Sequence, residues 1–367
     1  MNKANKLRLY PNAEQAMMFA KTFGCARFIY NRMLGDKINH YNETKEKLNN
    51  TPAQYKSEYE WLKEVDSLAL ANAQLNLQTA YNNFFRDKSV GFPKFKSKRS
   101  HHYSYTTNNQ NGSIRIEKGL LKLPKIGFVK LKQHRAIPEN YVLKSVTVSK
   151  TPSGKYYASI LFEYEQIIEP VEINSTVGLD FSMAELYVDS NGNEPQYDRY
   201  YHRSLDKLRR MSRALSKMRK FSSNWYRQKH KIAILHEKIA NQRKDFLHKQ
   251  SRQIANAYDL VGAEDLNMKA MSQALNFGKS VADNSWGTFR TLLKYKLDDM
   301  GKYFVVIDKW FPSSKLCSTP GCTYKNDALD LSVREWVCPN CGVVHNRDHN
   351  AAVNIRNEAV RLVSVMA

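Results

Sequence analysis

Long apolar runs are missing from this sequence. No stretch approaches the ~20 consecutive apolar residues that a membrane-spanning helix needs, and Met1–Arg8 is polar and basic with no apolar leader behind it. A mean hydropathy of −0.60 agrees, so the expectation is a soluble protein with no membrane partner and no secretory signal. Acidic residues are scarce as well, with 35 Asp+Glu against 57 Lys+Arg and a net charge of +22. Such an excess repels itself unless a polyanion compensates it. Because the basic residues recur along the whole chain, nucleic acid suits them better than a membrane surface, which calls for one basic amphipathic segment. Cysteine is limited to five residues, four of them clustered late in the chain, which excludes a disulfide framework and points to metal. There is no internal repeat and no long low-complexity segment, so 367 residues should fold as two or three globular domains.

The N-terminal half reads as a small β unit interrupted by helices. A strand candidate, Lys6–Tyr10, stops at Pro11, and Ala13 to about Arg86 is mainly helical, including the amide-rich Leu68–Phe85. Amides on such a helix are inert when they face solvent and can read base edges when they face nucleic acid. "GFPKFKSKRSHHYSY" (Gly91–Tyr105) interleaves Lys94, Lys96, Lys98 and Arg99 with aromatic residues, a pattern suited to phosphates and base stacking or to a ring-anchored surface loop. Alternating strands follow over Ser113–Lys132, and Val142–Glu165 reads as a hairpin turning at Pro152-Ser153-Gly154.

A second domain begins near Thr176, where "VGLDFS" places Asp180 at a strand end. A helical hairpin then runs through Leu205, Leu208, Met211, Leu215 and Met218, breaks at "FSSNW", and restarts at Ile232, Leu235, Ile239 and Phe246. Between Arg203 and Arg252 there are sixteen Lys/Arg, including Arg209, Arg210, Arg243 and Lys244, against Asp206, Glu237 and Asp245. That net +13 is more than half the charge of the chain and favours a nucleic-acid contact over a solvated face, which mixes signs. Ala257–Leu266 then reads as a buried strand ending in Glu264, and Lys302–Phe311 as another strand.

The late cysteines fall as Cys317-x4-Cys322-x15-Cys338-x2-Cys341, two knuckles spaced like a four-thiolate zinc ribbon. Only three residues separate Cys341 from His345, too few for a finger that ligates through histidine. His345 and His349 are therefore expected to be spacer and helix surface. Asp348 stands at the start of a helix pattern. With Asp180 and Glu264 it makes a set of carboxylates that two Mg²⁺ ions would use to hydrolyse a phosphodiester, although one acidic residue at a strand end is usually a cap or a surface charge.

Across essentially its whole length the chain resembles TnpB, the OrfB-type family of bacterial insertion sequences related to type V CRISPR effectors. The resemblance is carried by "KLRLYPNAEQ", "GCARFIYNRML", "GFPKFKSKR", "VGLDFS", "HEKIANQRKDFLHK", "AEDLNMKAM", "FPSSKLCS" and "WVCPNCGVVHNRDHNAAVNI". It implies a multi-domain α/β protein. A β-barrel, wedge-like domain (1–10 and 101–172) would carry a helical recognition domain (11–100). A RuvC-like nuclease of RNase H fold (173–311 and 344–367) would contain the basic hairpin (203–252) and hold a zinc ribbon (312–343). The acidic triad maps onto Asp180, Glu264 and Asp348. The implied activity is Mg²⁺-dependent, RNA-guided cleavage of double-stranded DNA beside a short flanking motif, with a guide RNA from the transposon end. The protein would be a monomer or weak dimer in the bacterial cytoplasm, associated with the nucleoid. The family's usual "HDRD" is "HNRD" here, with Asn346 outside the triad, and the first knuckle is Cys-x4-Cys where Cys-x2-Cys is common. Rival expectations are a nuclease-inactive RNA-guided repressor, a transposase acting on its own element, and a guide-free basic nuclease.

Overall fold

The structure is a computed structural model that describes residues 1–366 apart from 269, 272–284 and 331. The chain divides into two compact units, Met1–Gln166 and Ile167 onward.

The first unit is built on a seven-stranded antiparallel sheet. Its strands are β1 (Asn2–Tyr10), β2 (Tyr103–Asn108), β3 (Arg115–Glu117), β4 (Leu120–Leu123), β5 (Gly127–Lys132), β6 (Val142–Lys150) and β7 (Tyr156–Glu163), in the order β2-β6-β7-β1-β5-β4-β3. The first strand in the chain thus lies mid-sheet between β7 and β5, burying Leu7 and Leu9 from alternate positions. Between β1 and β2 the chain makes α1 (Ala13–Thr44) and α2 (Ser67–Arg86). Asn12 starts α1 with a reciprocal cap, its side chain accepting from Gln15 N while Gln15 accepts from Asn12 N. Phe19, Phe23, Ile29, Met33 and Leu34 of α1 share one core with Leu70 and Leu77 of α2 and the inward residues of the sheet. Cys25 belongs to that core, where burial, seconded by the charge of Glu64, pushes its thiol up to about 11. Several amides of α2 are engaged within the unit: Asn72 donates to Leu68 O, Gln74 to Asn50 O, and Gln78 to Asn82.

The second unit is an α/β layer. Its sheet contains β8 (Thr176–Ser182), β9 (Leu186–Asp189), β10 (Leu260–Glu264) and β11 (Tyr303–Ile307), in the order β11-β10-β8-β9, with β8, β10 and β11 parallel and β9 antiparallel. Two helices, α3 (Tyr200–Ser216) and α4 (Ser223–Ala257), connect β9 to β10 as a hairpin. The strand patterns of the sequence ran longer than the strands themselves. Ala257 still belongs to α4, and β11 stops at Ile307.

One face of the sheet packs on α4 and on α5 (Trp286–Asp298), burying Trp286, Phe289, Leu293 and Leu297 against Val177, Leu179, Val261 and Ala263. The other face receives α6 (Arg347–Met366), whose Ile355 and Ala359 pack with Leu260 and Ile307. Gly178 and Gly262 are Cα partners across β8 and β10. A Cβ at Gly262 would meet Ala359 Cβ at 2.8 Å and Ile355 O at 2.9 Å. The absence of side chains at this pair lets α6 lie directly on the sheet backbone. Two short strands, β12 (Glu335–Val337) and β13 (Val344–Asn346), pair antiparallel just before α6.

Candidate active site and metal centre

The glycine pair that seats α6 also aims the carboxylates. Side chains alternate along a strand, so residues two apart share a face. Gly178-Leu179-Asp180 and Gly262-Ala263-Glu264 run side by side in parallel register, with Leu179 opposite Ala263. Asp180 and Glu264 therefore project on the face covered by α6, just past the point where the helix touches the strands. Asp348 is in the first turn of α6. All three carboxylates line one cavity of about 960 Å³, together with Glu185, Glu194, Arg199, His202, Ser313, Arg334 and Arg347.

Desolvation raises the Asp180 pKa well above the ordinary carboxylate range, and the charges of Glu264 and Asp348 push it further. Burial also raises Glu264, opposed by a hydrogen bond donated from Ser313 Oγ to Glu264 Oε1. Carboxylates placed against their own repulsion supply oxygen donors suited to a hard divalent cation. They are spread around the cavity, and Arg334 Nη1 pairs with Asp348 Oδ2 at 3.1 Å.

Among the described residues, the group drawn into a tight ligand cage is Cys317, Cys322, Cys338 and Cys341, whose sulfurs all lie within 4.8 Å of one another. Cys317 and Cys341 are 3.7 Å apart at sulfur, as are Cys322 and Cys338. Four thiolates at ~2.3 Å around a tetrahedral zinc would stand about 3.8 Å apart, so the residues fit that ion. Backbone donation from Val343, followed by Thr319, brings Cys341 down to about 6, and the Asn340 amide is the leading cause that lowers Cys322. Both lean to the thiolate form that binds metal, whereas burial holds Cys317 up at about 11, so metal binding there has to displace a proton.

His345 is not the spacer the sequence suggested. It sits in β13, 7 % exposed, with its ring 4.9 Å from Trp336 and Nε2 3.1 Å from Cys317 Sγ. Spacing predicts that His345 is no ligand, and it gives no sign of this contact with Cys317 and Trp336. His349 is half-buried on α6, its Nε2 3.2 Å from Ser190 O, and is likewise more than helix surface.

Three further residues, Ser313, Asn350 and Asn354, carry no mark in the sequence, and Asn346 stands out there only as a departure from the family's "HDRD". Asn346 Oδ1 accepts from both Asp348 N and His349 N at 3.1 Å, which caps the helix that carries Asp348. Ser313 contacts Glu264 as described. Asn350 and Asn354, both buried in α6, hold the segment leading to the cysteines. Asn354 donates to Ser313 O at 2.7 Å and to Leu316 O at 2.6 Å. Asn350 donates to Leu316 O at 2.7 Å and accepts from Ser318 N at 3.0 Å. The repeated Gly-x-acid of "GLD" and "GAE" was a readable signal for the site. Nothing local marks the asparagines, because their partners are main-chain atoms more than thirty residues away.

The basic candidates are less uniform. Lys94, Lys98 and Arg99 are exposed. Lys96 places Nζ 3.9 Å over the Tyr30 ring, and its backbone is clamped by Asn31 at 2.7 and 2.8 Å. Arg210 and Lys244 are exposed on the hairpin, Arg243 is half-buried, and Arg209 pairs with Asp206 at 3.2 Å.

Three family models match the chain. An OrfB/IS605 model described as a probable transposase covers residues 159–275, a Cas12f1-like TNB domain covers 286–355, and a helix-turn-helix domain of the OrfB/IS605 group covers 1–46. The last region folds here as β1 and the single helix α1. A Streptomyces pristinaespiralis protein named "Putative RNA-guided DNA endonuclease" is 33% identical, over 97% of this chain and 89% of its own length. The Escherichia coli K12 protein carrying the same name with the suffix InsQ is 32% identical over 96% and 91%. In fold, the chain is similar to the protein in a cryo-EM structure of a Cas12f1–sgRNA–target DNA complex, with a TM-score of 0.62, 15% identity, and 97% and 99% of the two chains covered.

Proposed function

From the premise that this chain belongs to the TnpB family of OrfB/IS605-type proteins, we propose that it is an RNA-guided endonuclease that cuts double-stranded DNA. The observation that carries this reading is the convergence of Asp180, Glu264 and Asp348 on one cavity from two neighbouring parallel strands and a helix start.

Asp180, Glu264 and Asp348 would hold divalent cations, with Mg²⁺ the natural choice for an all-carboxylate set. Bound there, the ions would supply activation of water and stabilisation of the leaving oxygen. The protein's own part is positional. The strands fix Asp180 and Glu264 side by side, Ser313 orients Glu264, and Asn346 caps the turn that presents Asp348. Arg199 and Arg347 line the same cavity and suit a phosphate of the scissile strand. Cys317, Cys322, Cys338 and Cys341 would hold a structural zinc.

In this reading the guide comes from the transposon end and pairs with the target, so base pairing reads the sequence. The wedge-like parts (1–10 and 101–172) and the helical insertion (11–100) serve guide binding and recognition of a short flanking motif. The basic hairpin (203–252) contributes phosphate contacts, and binding should weaken steeply with salt. The nuclease reading is favoured over the repressor reading because all three carboxylates are present and meet in one cavity.

The test is plasmid cleavage by purified protein with its co-purifying RNA identified, a target matched to that RNA, and Mg²⁺. Linearisation by the native protein and none by Asp180→Ala is expected. Equal cutting by the two, or cutting that does not depend on the RNA, would overturn the proposal.

A further inference from the structure

The tip of the basic hairpin has a property that phosphate binding leaves unexplained. Between Lys217 and Lys231 there are six Lys/Arg and no acidic residue. At the centre of this segment Phe221 is 73 % exposed and takes φ +67°, a conformation that a bulky side chain rarely adopts. Trp225 lies 5.7 Å from the Phe221 ring, and Tyr226, 54 % exposed, packs edge-on to Trp225 at 5.1 Å. Lys229 Nζ stands 5.0 Å over the Trp225 ring. The tip is also held in place. Ser222 caps α4 by accepting from Trp225 N at 3.2 Å, and Gln228 donates to Met211 O at 3.0 Å, tying the two helices together.

Each feature narrows the partner. A hydrophobic tip displayed on fixed helices costs stability unless something covers the rings. The single-sign charge around it repels basic surfaces and favours a polyanion. Backbone strain at an exposed aromatic residue is tolerated where it aims a side chain at a ligand. A ligand that offers flat aromatic faces between regularly spaced negative charges is an unpaired nucleic-acid strand. An intact duplex hides its base faces and would leave Phe221 and Tyr226 uncovered.

We infer that the hairpin tip is a base-stacking platform, in which Phe221 and Tyr226 take unstacked nucleobases while Lys217, Arg219, Lys220 and Arg227 follow the flanking phosphates. This rests on the nucleic-acid reading above and adds to it a place and a chemistry. The hairpin does not merely attract the backbone but engages bases where a strand is unpaired. RNA and DNA strands share that chemistry.

The test uses the full chain with three probes of one 20-nucleotide sequence: single-stranded RNA, single-stranded DNA, and the blunt DNA duplex. Each carries 2-aminopurine in place of one adenine. Quenching of the probe on binding to either single strand, and about tenfold weaker binding of that strand by the Phe221→Ala/Tyr226→Ala protein, are expected. Duplex affinity should not change. The slope of log affinity against log salt should be kept in the ring variant and become shallower in Lys217→Ala/Lys220→Ala. Phe221→Tyr/Tyr226→Phe should bind as the native protein does, and this guards against a loss through misfolding. Whether RNA or DNA shows the larger loss identifies the strand.

Ring variants that bind all probes like the native protein, or that weaken duplex and single strands alike, would overturn the platform. So would tip-dependent binding to anionic lipid vesicles with no effect on the strands. If the platform fails while RNA-dependent cutting remains sensitive to Asp180→Ala, the nuclease reading stands without it.

Discussion

Gly178→Ala should disable cutting while leaving nucleic-acid binding in place. A Cβ at this position would lie 2.5 Å from Arg356 N and 3.0 Å from Arg356 Cα, and nearer still to Ala352 O. These are main-chain atoms of α6, so no side chain can rotate away. Restoring an ordinary contact requires the helix to recede by more than about 1 Å, at a cost of roughly 1–3 kcal/mol or more for the overpacked site. A helix moves as a body, and Asp348 is one turn before Ala352. The displacement therefore reaches the carboxylate, where a misplacement of about 1 Å costs on the order of 100-fold in rate. The assay is initial-rate plasmid linearisation at saturating guide and Mg²⁺, alongside thermal unfolding and RNA binding. Gly287→Ala is the control, because a Cβ there meets nothing within 4 Å. A Gly178→Ala protein that cuts at the native rate would refute the argument that this glycine sets the position of Asp348.

Ser313→Ala removes the donor to Glu264, and a hydrogen bond to a charged group is worth about 1.5–3 kcal/mol, so cleavage should fall about tenfold or more. More Mg²⁺ should be needed for half-maximal rate, the acid limb of the pH profile should move upward, and Ser313→Thr should restore all three. Asp180 has a raised folded pKa, so its contribution to stability is present below the ordinary carboxylate range and is lost as pH rises through the elevated value. Asp180→Asn should therefore raise the melting temperature at neutral pH in Mg²⁺-free buffer, with the gain vanishing toward acid pH. Metal analysis should find one zinc per chain, lost on Cys317→Ser but kept on Cys25→Ser. Its removal by chelation should melt the segment between β11 and α6, since about 10 kcal/mol or more of metal binding is available to fold such a site.

What could be read in the sequence was whatever repeats or alternates locally. The cysteine spacing, the alternating strands of the first unit and the broken helical hairpin all have short-range patterns, and the structure bears them out. An apolar run does not show where α4 yields to β10, and the pattern over Lys302–Phe311 overruns the end of β11 at Ile307, whereas β10 ends at Glu264 as expected. Glu264 and Asp348 stand at element ends as expected, while Asp180 lies inside β8, which runs on to Ser182; their common cavity depends on strand register and on the glycine pair. His345 was misjudged for another reason. Ligand counting asks only whether a residue binds the metal, whereas burial against Cys317 and Trp336 comes from the fold around it.

Asn350 and Asn354 hold the stem of the cysteine segment by gripping the carbonyls of Ser313 and Leu316 and the amide of Ser318. Main-chain atoms are the same whatever side chain they carry. An attachment of this kind fixes the path of the stem while leaving most of its sequence free. The wide Cys317-x4-Cys322 knuckle can then vary in length without passing a disturbance back to Ser313 and Glu264, whereas Arg334, further along, stays tied to Asp348 at 3.1 Å. On the Glu264 side the two asparagines act as a mechanical insulator, so a variable knuckle can be carried next to a carboxylate that tolerates almost no movement.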